Sequence, residues 1–211
     1  MKKKAIIVAA GNGSRMGSEI PKQFLPIGGK PLLYYTIRAF IRAFDDIEII
    51  LVLPPAHITK GIEIIDGFFN ARKFVVVEGG ASRFESVQHG LSNIDEEYIV
   101  FIHDGVRCLV SPVLLQRCYE VALANGTAVA AIQSKDSVRL VNDEGNEATV
   151  RESVRLIQTP QVFHSKILMP AYQIPFKESF TDEATVVEAY GIKIQLVEGE
   201  ENNIKVTTPN D

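Results

Sequence analysis

The sequence predicts an α/β fold, a mostly parallel sheet with helices on both faces, from two patterns. Short continuous apolar runs rich in β-branched residues recur along the 211-residue chain, and segments of helical period separate them. Repeated alternation of strand and helix requires crossover connections, which favour parallel pairing. The alternation breaks after Ser134, so a different element, a protruding β-hairpin arm, is expected there.

The expected strands cover residues 5–10, 47–53, 74–77, 98–102 and 127–132, each reading as buried on both faces. The first helix places Leu33, Ile37, Phe40, Ile41 and Phe44 on one stripe. Pro31 begins it, where a missing N–H does no harm. Further helices are expected at 82–92, 112–124 and 182–190, and over 56–69, where Gly61 and Gly67 weaken the pattern. Residues 135–162 alternate through "SVRLV", turn at "NDEGNE" around Asp143, Glu144 and Gly145, and continue as "ATVRESVRLIQTPQVF". That reads as the hairpin arm. An isolated two-stranded hairpin is only marginally stable, so segment 135–157 is expected to pack on a second subunit, giving a homodimer. The whole chain, 1–211, suits one domain: it is long enough for one substantial core and short for two.

Composition narrows the function. With 46% hydrophobic residues, 23% charged residues and a net charge of -4, the chain reads as soluble and globular. The absence of a basic bias argues against a nucleic-acid partner. An anionic substrate would therefore have to be drawn by locally clustered Arg and Lys. Cys108 and Cys118 lie outside any CxxC spacing and read as reduced thiols. The start "MKKKAIIVAAGNG" has an apolar run too short for a signal peptide, and no other stretch could span a bilayer. A cytoplasmic protein without a membrane partner is expected.

Ligands of open α/β sheets sit beyond the carboxyl ends of the strands. That rule selects residues 9–22, 78–86, 103–107 and 134–137. The first of these holds "GNGSRMG", one residue longer than a dinucleotide fingerprint and without the acidic residue about twenty positions on that would hold a ribose. Gly29-Lys30 is followed by Pro31 and fails as a Walker A loop. What distinguishes the turn is a pair of cations, Arg15 and Lys22, in and just after it. Backbone N–H groups can cup phosphate oxygens, and the two cations sit where charge would build up if a triphosphate were cleaved.

The stretch "AAGNGSRMGSEIPKQFLPIGGKPLL", followed in order by "EGGASRFESV", "IHDGVR", "QTPQVF", "FTDEA" and "NIKVTTP", resembles the 2-C-methyl-D-erythritol 4-phosphate cytidylyltransferases of the non-mevalonate isoprenoid pathway. The motifs span almost the whole chain. The resemblance implies a Rossmann-like nucleotidyltransferase fold, with CTP and 2-C-methyl-D-erythritol 4-phosphate as substrates and Mg²⁺ as cofactor. It implies that Arg15 and Lys22 stabilise the transition state, and that Ala9, Ala10, Gly11, Asn12, Gly13 and Ser14 border the nucleotide. Gly80, Ala81 and Ser86 would lie around the cytosine. Asp104 would contact the ribose or help to hold Mg²⁺, with Arg107 supporting its loop. Arg151 and Lys205 would position the acceptor phosphate, with Ser137, Thr159 and Thr181 supplying hydroxyls. Arg151 lies on the arm, so exchange of arms would complete the partner's site. The chain departs from the family at Cys108, where Pro is usual, and at Ser137, where Thr is frequent.

The implied reaction, attack of a phosphate oxygen on the α-phosphorus of CTP, needs positioning and electrostatic stabilisation rather than a strong base. No Ser/His/Asp or Cys/His spacing occurs among His57, His89, His103 and His164. The related ribitol 5-phosphate cytidylyltransferases share the loop, the "HD" strand end and "TPQ", but "AAGNG" and "TDEA" favour the isoprenoid enzyme. A nucleotide-binding module without catalysis would not need Arg15, Lys22, Arg151 and Lys205 together, and a nicotinamide-dependent oxidoreductase lacks its fingerprint.

Overall fold

A period-two alternation of side chains along the strands builds two cores, one on each face of a central sheet. In the computed structural model, which describes residues 1–11 and 20–211, the elements in chain order are β1 (Lys2–Val8), β2 (Pro26–Ile27), β3 (Lys30–Pro31), α1 (Leu32–Ala43), β4 (Glu48–Leu53), α2 (Ile58–Phe68), β5 (Phe74–Glu78), α3 (Arg83–Leu91), β6 (Tyr98–Asp104), α4 (Pro112–Asn125), β7 (Thr127–Gln133), β8 (Arg139–Asn142), β9 (Gly145–Ala148), β10 (Arg155–His164), α5 (Ser165–Ala171), α6 (Glu183–Ala189) and β11 (Leu196–Glu198). Short 3₁₀ turns, one of them at Lys22–Phe24, join several of these. The sheet runs β11-β7-β10-β6-β1-β4-β5. All its neighbouring pairs are parallel except those of β10, which is antiparallel to both β6 and β7.

Ala5, Ile7, Ile49, Leu51, Ile99 and Phe101 face the core made with α1, α2 and α4. Their sequence neighbours Ile6, Ile50, Val52, Val100 and Ile102 face the core made with α3, α5 and α6. Strands buried on both sides must be apolar at every position, which is why β1, β4 and β6 read as continuous hydrophobic runs. β5 departs from that expectation: it is an edge strand, and Val75 is exposed.

α1 begins after Pro31 as expected, and α4 starts at Pro112 behind a Ser111 cap that accepts from the Leu114 N–H. α4 ends at Gly126, whose φ of +87° is left-handed and favours glycine. α6 opens with a capping box between Asp182 and Thr185.

The arm pairs over less of the sequence than its alternation suggests. Only β8 and β9 form the hairpin, in register from Arg139–Ala148 to Asn142–Gly145. The continuation through 155–164 is β10, a strand inside the main sheet, with residues 158–163 buried. Its alternation matched a hairpin and a sheet strand equally, and the buried apolar pair Val162 and Phe163 decides between them. α5, β11 and the β2–β3 hairpin carry too few periodic residues to stand out in the sequence.

Candidate active site

The carboxyl ends of β1 and β6 and the amino end of α3 meet on one side of the sheet. Past the end of β1, the Ala9 N–H donates to the Val52 carbonyl at 2.9 Å. The buried amide of Gln23 donates to the carbonyls of Ala9 (2.8 Å) and Gly11 (3.2 Å), bracing the start of the glycine-rich turn. Gly79 and Gly105 lie so close to this strand end that an added Cβ would stand 2.4 Å from Ala10 Cβ and 2.8 Å from Ala9 Cβ respectively.

At α3, Ser82 caps the helix by accepting from the Glu85 N–H at 3.1 Å. Glu85 in turn accepts from the Ala81 N–H at 2.7 Å, and Ser86 Oγ accepts from the Gly80 N–H at 3.1 Å. The backbone donors of Gly80 and Ala81 are thus already engaged. These two residues offer a ligand a small surface rather than free N–H groups.

Asp104 ends β6, and its backbone N–H donates to Thr159 Oγ at 3.0 Å, across the sheet on β10. Three cations surround its carboxylate: Lys205 Nζ at 2.9 Å, Arg83 Nη2 at 3.4 Å and Arg107 Nε at 3.6 Å. Burial alone would raise the Asp104 carboxyl, but Arg83, followed by Lys205 and Arg107, outweighs it and holds the group well below the usual carboxylate range. Asp104 is therefore ionised throughout the neutral range. Next to it, burial pushes His103 down to about 4, so this histidine is neutral. Its Nε2 contacts the Arg107 carbonyl at 3.2 Å and its ring lies against Phe40, a structural environment.

Arg83 reaches from Asp104 to the buried Glu183, engaging Glu183 Oε1 through Nη1 and Oε2 through Nη2 at 3.0 Å. The Tyr172 hydroxyl donates to Glu183 Oε1 at 3.1 Å. Burial, followed by Glu183, raises the tyrosine well above its ordinary value, so it remains a donor. The Arg107 guanidinium donates to the Asn203 carbonyl at 2.7 Å, and Lys22 Nζ donates to the Val206 carbonyl at 2.9 Å. Lys205 thus sits in a segment tied at one end to the β6 loop and at the other to the residue following the glycine turn.

Two cavities flank this cluster and share Arg83, Asp104 and Lys205 as a common wall. One, about 340 Å³, is bordered by Ala9, Ala10, Gly11, Lys22, Gly80, Ala81 and Ser86. The other, about 290 Å³, is bordered by Arg107, Thr159 and Thr181. Twelve of the residues singled out in the sequence therefore converge. Asn12, Gly13, Ser14 and Arg15 lie outside the described residues. Two others do not join the cluster. Ser137 is exposed at the root of the arm, and Arg151 borders a separate cleft of about 740 Å³ with Lys135, Arg155, Glu198 and Glu201.

The Asp104 carboxylate oxygens already face three cations, so a Mg²⁺ ion placed there would share them with Lys205, Arg83 and Arg107. Among the described residues, no group of three or more Asp, Glu, His or Cys could hold a metal ion.

Arg83 and Glu183 escaped the sequence reading. Both stand inside motifs quoted for other residues, "EGGASRFESV" and "FTDEA", and isolated charges are usually solvated. A usable signal was their placement: each occupies the first position of a helix that follows a polar turn.

The family model of the 2-C-methyl-D-erythritol 4-phosphate cytidylyltransferases matches residues 4–211. A relative of that name from Bacteroides fragilis is 44% identical over 211 residues, covering 100% of this chain and 96% of its own. Among solved structures, a 4-diphosphocytidyl-2C-methyl-D-erythritol synthase from Anaerococcus prevotii superposes with a TM-score of 0.84 at 30% identity, over 99% of this chain and 94% of that one. The 2-C-methyl-D-erythritol 4-phosphate cytidylyltransferase of Thermus thermophilus gives 0.76 at 32% identity, over 100% and 95%. With its ordered motifs, its sheet and its paired cavities accounted for along the whole chain, the protein belongs to the 2-C-methyl-D-erythritol 4-phosphate cytidylyltransferase family.

Proposed function

We propose that this chain transfers a cytidylyl group from CTP to 2-C-methyl-D-erythritol 4-phosphate, giving 4-diphosphocytidyl-2-C-methyl-D-erythritol and pyrophosphate, in the non-mevalonate route to isoprenoid precursors. The observation that carries the reading is the shared wall: two cavities meet at Lys205, Asp104 and Arg83. One is bordered by Gly11, at the start of the glycine turn, and by Lys22, suited to a triphosphate, and the other by hydroxyls and cations suited to a second phosphate. Both substrates are anions in a chain of net charge -4, so the local cations supply the attraction.

A phosphate oxygen of the acceptor attacks the α-phosphorus, the bond from that phosphorus to the bridging oxygen of the β-phosphate breaks, and pyrophosphate leaves. Lys22 and Arg15 meet the charge that accumulates on the α-phosphate and the leaving group. Lys205 aims the acceptor phosphate, and Thr159 and Thr181 orient the polyol. Small residues at Gly80, Ala81 and Ser86 size the base pocket for a pyrimidine. A Mg²⁺ ion bound with the triphosphate would neutralise part of its charge, since this ion favours phosphate oxygens.

Arg151 and Ser137 enter from a second subunit. Within one chain they lie at and below the arm, away from Lys205, while Leu140, Val141 and Val150 expose apolar surface along it. A homodimer with exchanged arms would cover that surface and bring Arg151 to the partner's acceptor phosphate. The reading places the enzyme in the cytoplasm; no described helix is long and apolar enough to cross a membrane. Pyrophosphate release from CTP, measured separately with methylerythritol phosphate and ribitol 5-phosphate, tests the reading. Preference for ribitol phosphate would overturn the acceptor assignment, and CTP binding without release would overturn catalysis.

A further inference from the structure

Glu183 is a fully buried carboxylate, and nothing in the transfer chemistry requires it. A buried anion is tolerated only when its charge and lone pairs are met. Here both are: Arg83 binds it with two nitrogens, and the Tyr172 hydroxyl adds a donor to one oxygen. The arrangement crosses the molecule, because Arg83 opens α3, Glu183 opens α6 and Tyr172 follows α5. Stacking of Phe84 on Tyr172, with ring centroids 4.7 Å apart, packs two of these elements, α3 and the end of α5, together.

Arg83 has a second partner. Its Nη2 also points at Asp104 Oδ1, at the longer distance of 3.4 Å, while Lys205 takes Oδ2 at 2.9 Å. Arg83 and Lys205 therefore take different oxygens of one carboxylate, with Arg107 farther off at 3.6 Å from Oδ2, and Arg83 and Lys205 both lie on the wall common to the two cavities. Guanidinium prefers a two-pronged carboxylate contact. An Arg83 released from Glu183 would turn to Asp104, the nearest remaining anion, and take both oxygens. Lys205 would then lose the partner that holds it beside the acceptor cavity.

We propose that Glu183 is a positioning residue for the acceptor substrate: by holding the Arg83 fork it reserves Asp104 Oδ2 for Lys205 and so keeps the Lys205 ammonium aimed at the acceptor phosphate. The proposal rests on the assignment of the second cavity to that phosphate. The triphosphate side has a further cation, Lys22, anchored to the Val206 carbonyl, so nucleotide binding depends less on this link than acceptor binding does.

The test is steady-state kinetics of Glu183→Gln with CTP and methylerythritol phosphate varied in turn. Expected is a rise of about tenfold or more in KM for the acceptor, with KM for CTP within about twofold of the parent, the size of effect that loss of one charge-assisted contact produces. Glu183→Asp, which keeps the charge, should recover part of the loss. Arg83→Lys lacks the fork and cannot claim both Asp104 oxygens, so adding it to Glu183→Gln should bring the acceptor KM back toward the parent value; should Glu183→Gln not fold, Glu183→Asp alone should show a smaller rise in the acceptor KM. A lowered melting temperature with both KM values unchanged, or equal rises in both, would overturn the proposal by making Glu183 a structural residue. Should the parent enzyme favour another polyol phosphate, the acceptor assignment fails. The same split is then expected with that polyol phosphate, so failure of the reading and failure of the Glu183 role are told apart.

Discussion

Lys205 Nζ stands 2.9 Å from Asp104 Oδ2, joining a half-exposed lysine near the end of the chain to the buried last residue of β6. The pair holds an ammonium at the meeting of two cavities without enclosing it, so an incoming phosphate can compete for it. Removing either partner should damage the same step. Lys205→Ala and Asp104→Asn are each expected to lower kcat/KM for the acceptor about 100-fold, and the double variant to be little worse than the poorer single one. Simple multiplication of the two losses, measured in the same assay, would show that the residues act independently.

Gly80 is fixed by its neighbour rather than by its dihedral angles. A Cβ there would stand 2.3 Å from Glu85 Cβ, so Gly80→Ala must push the start of α3 away from the nucleotide cavity. The expected result is about a tenfold rise in KM for CTP with a smaller change for the acceptor, the reverse of the Glu183→Gln pattern. Calorimetric titration with CTP checks the binding component directly.

His103 makes stability depend on pH in a known direction. Its folded value of about 4 lies below the ordinary 6.5, so the unfolded chain binds more protons between these limits. Its contribution is fully present above 6.5 and is lost as pH falls toward 4, about 2 kcal/mol of it by pH 5. Urea unfolding at pH 7 and pH 5 should show a smaller difference for His103→Asn than for the parent. Asp104 is held well below its ordinary value, so its stabilising share persists above pH 4 and fades only below it.

Arm exchange makes a quantitative prediction about mixed dimers. Arg151→Ala and Lys205→Ala chains are each expected to be nearly inactive alone. Co-expressed in equal amounts, they should recover about a quarter of the parent activity, because half the dimers are mixed and each mixed dimer holds one intact site. Recovery at the level of either variant alone would mean that Arg151 serves its own subunit's site.

Much of this was legible in the sequence because it is local. Apolar runs located β1, β4, β6 and β7, and the rule that ligands gather at strand ends located Ala9, Gly80 and Asp104. What could not be read depends on contacts between distant positions. Arg83 and Glu183 are 100 residues apart, and only the folded sheet brings them together to neutralise each other. β10 was disguised for a similar reason: its alternation suits a hairpin, and its place between β6 and β7 follows from pairing with strands far along the chain. Nor does the sequence reveal that Lys205, Arg83 and Arg107 crowd the Asp104 carboxylate.

The central claim is transfer from CTP to methylerythritol phosphate. It is tested most directly by offering the enzyme CTP with equal concentrations of methylerythritol phosphate and ribitol 5-phosphate and weighing the products by mass spectrometry. The expected result is 4-diphosphocytidyl-2-C-methyl-D-erythritol as the main product, formed in step with pyrophosphate. A predominance of the ribitol derivative, or CTP recovered intact, would contradict it.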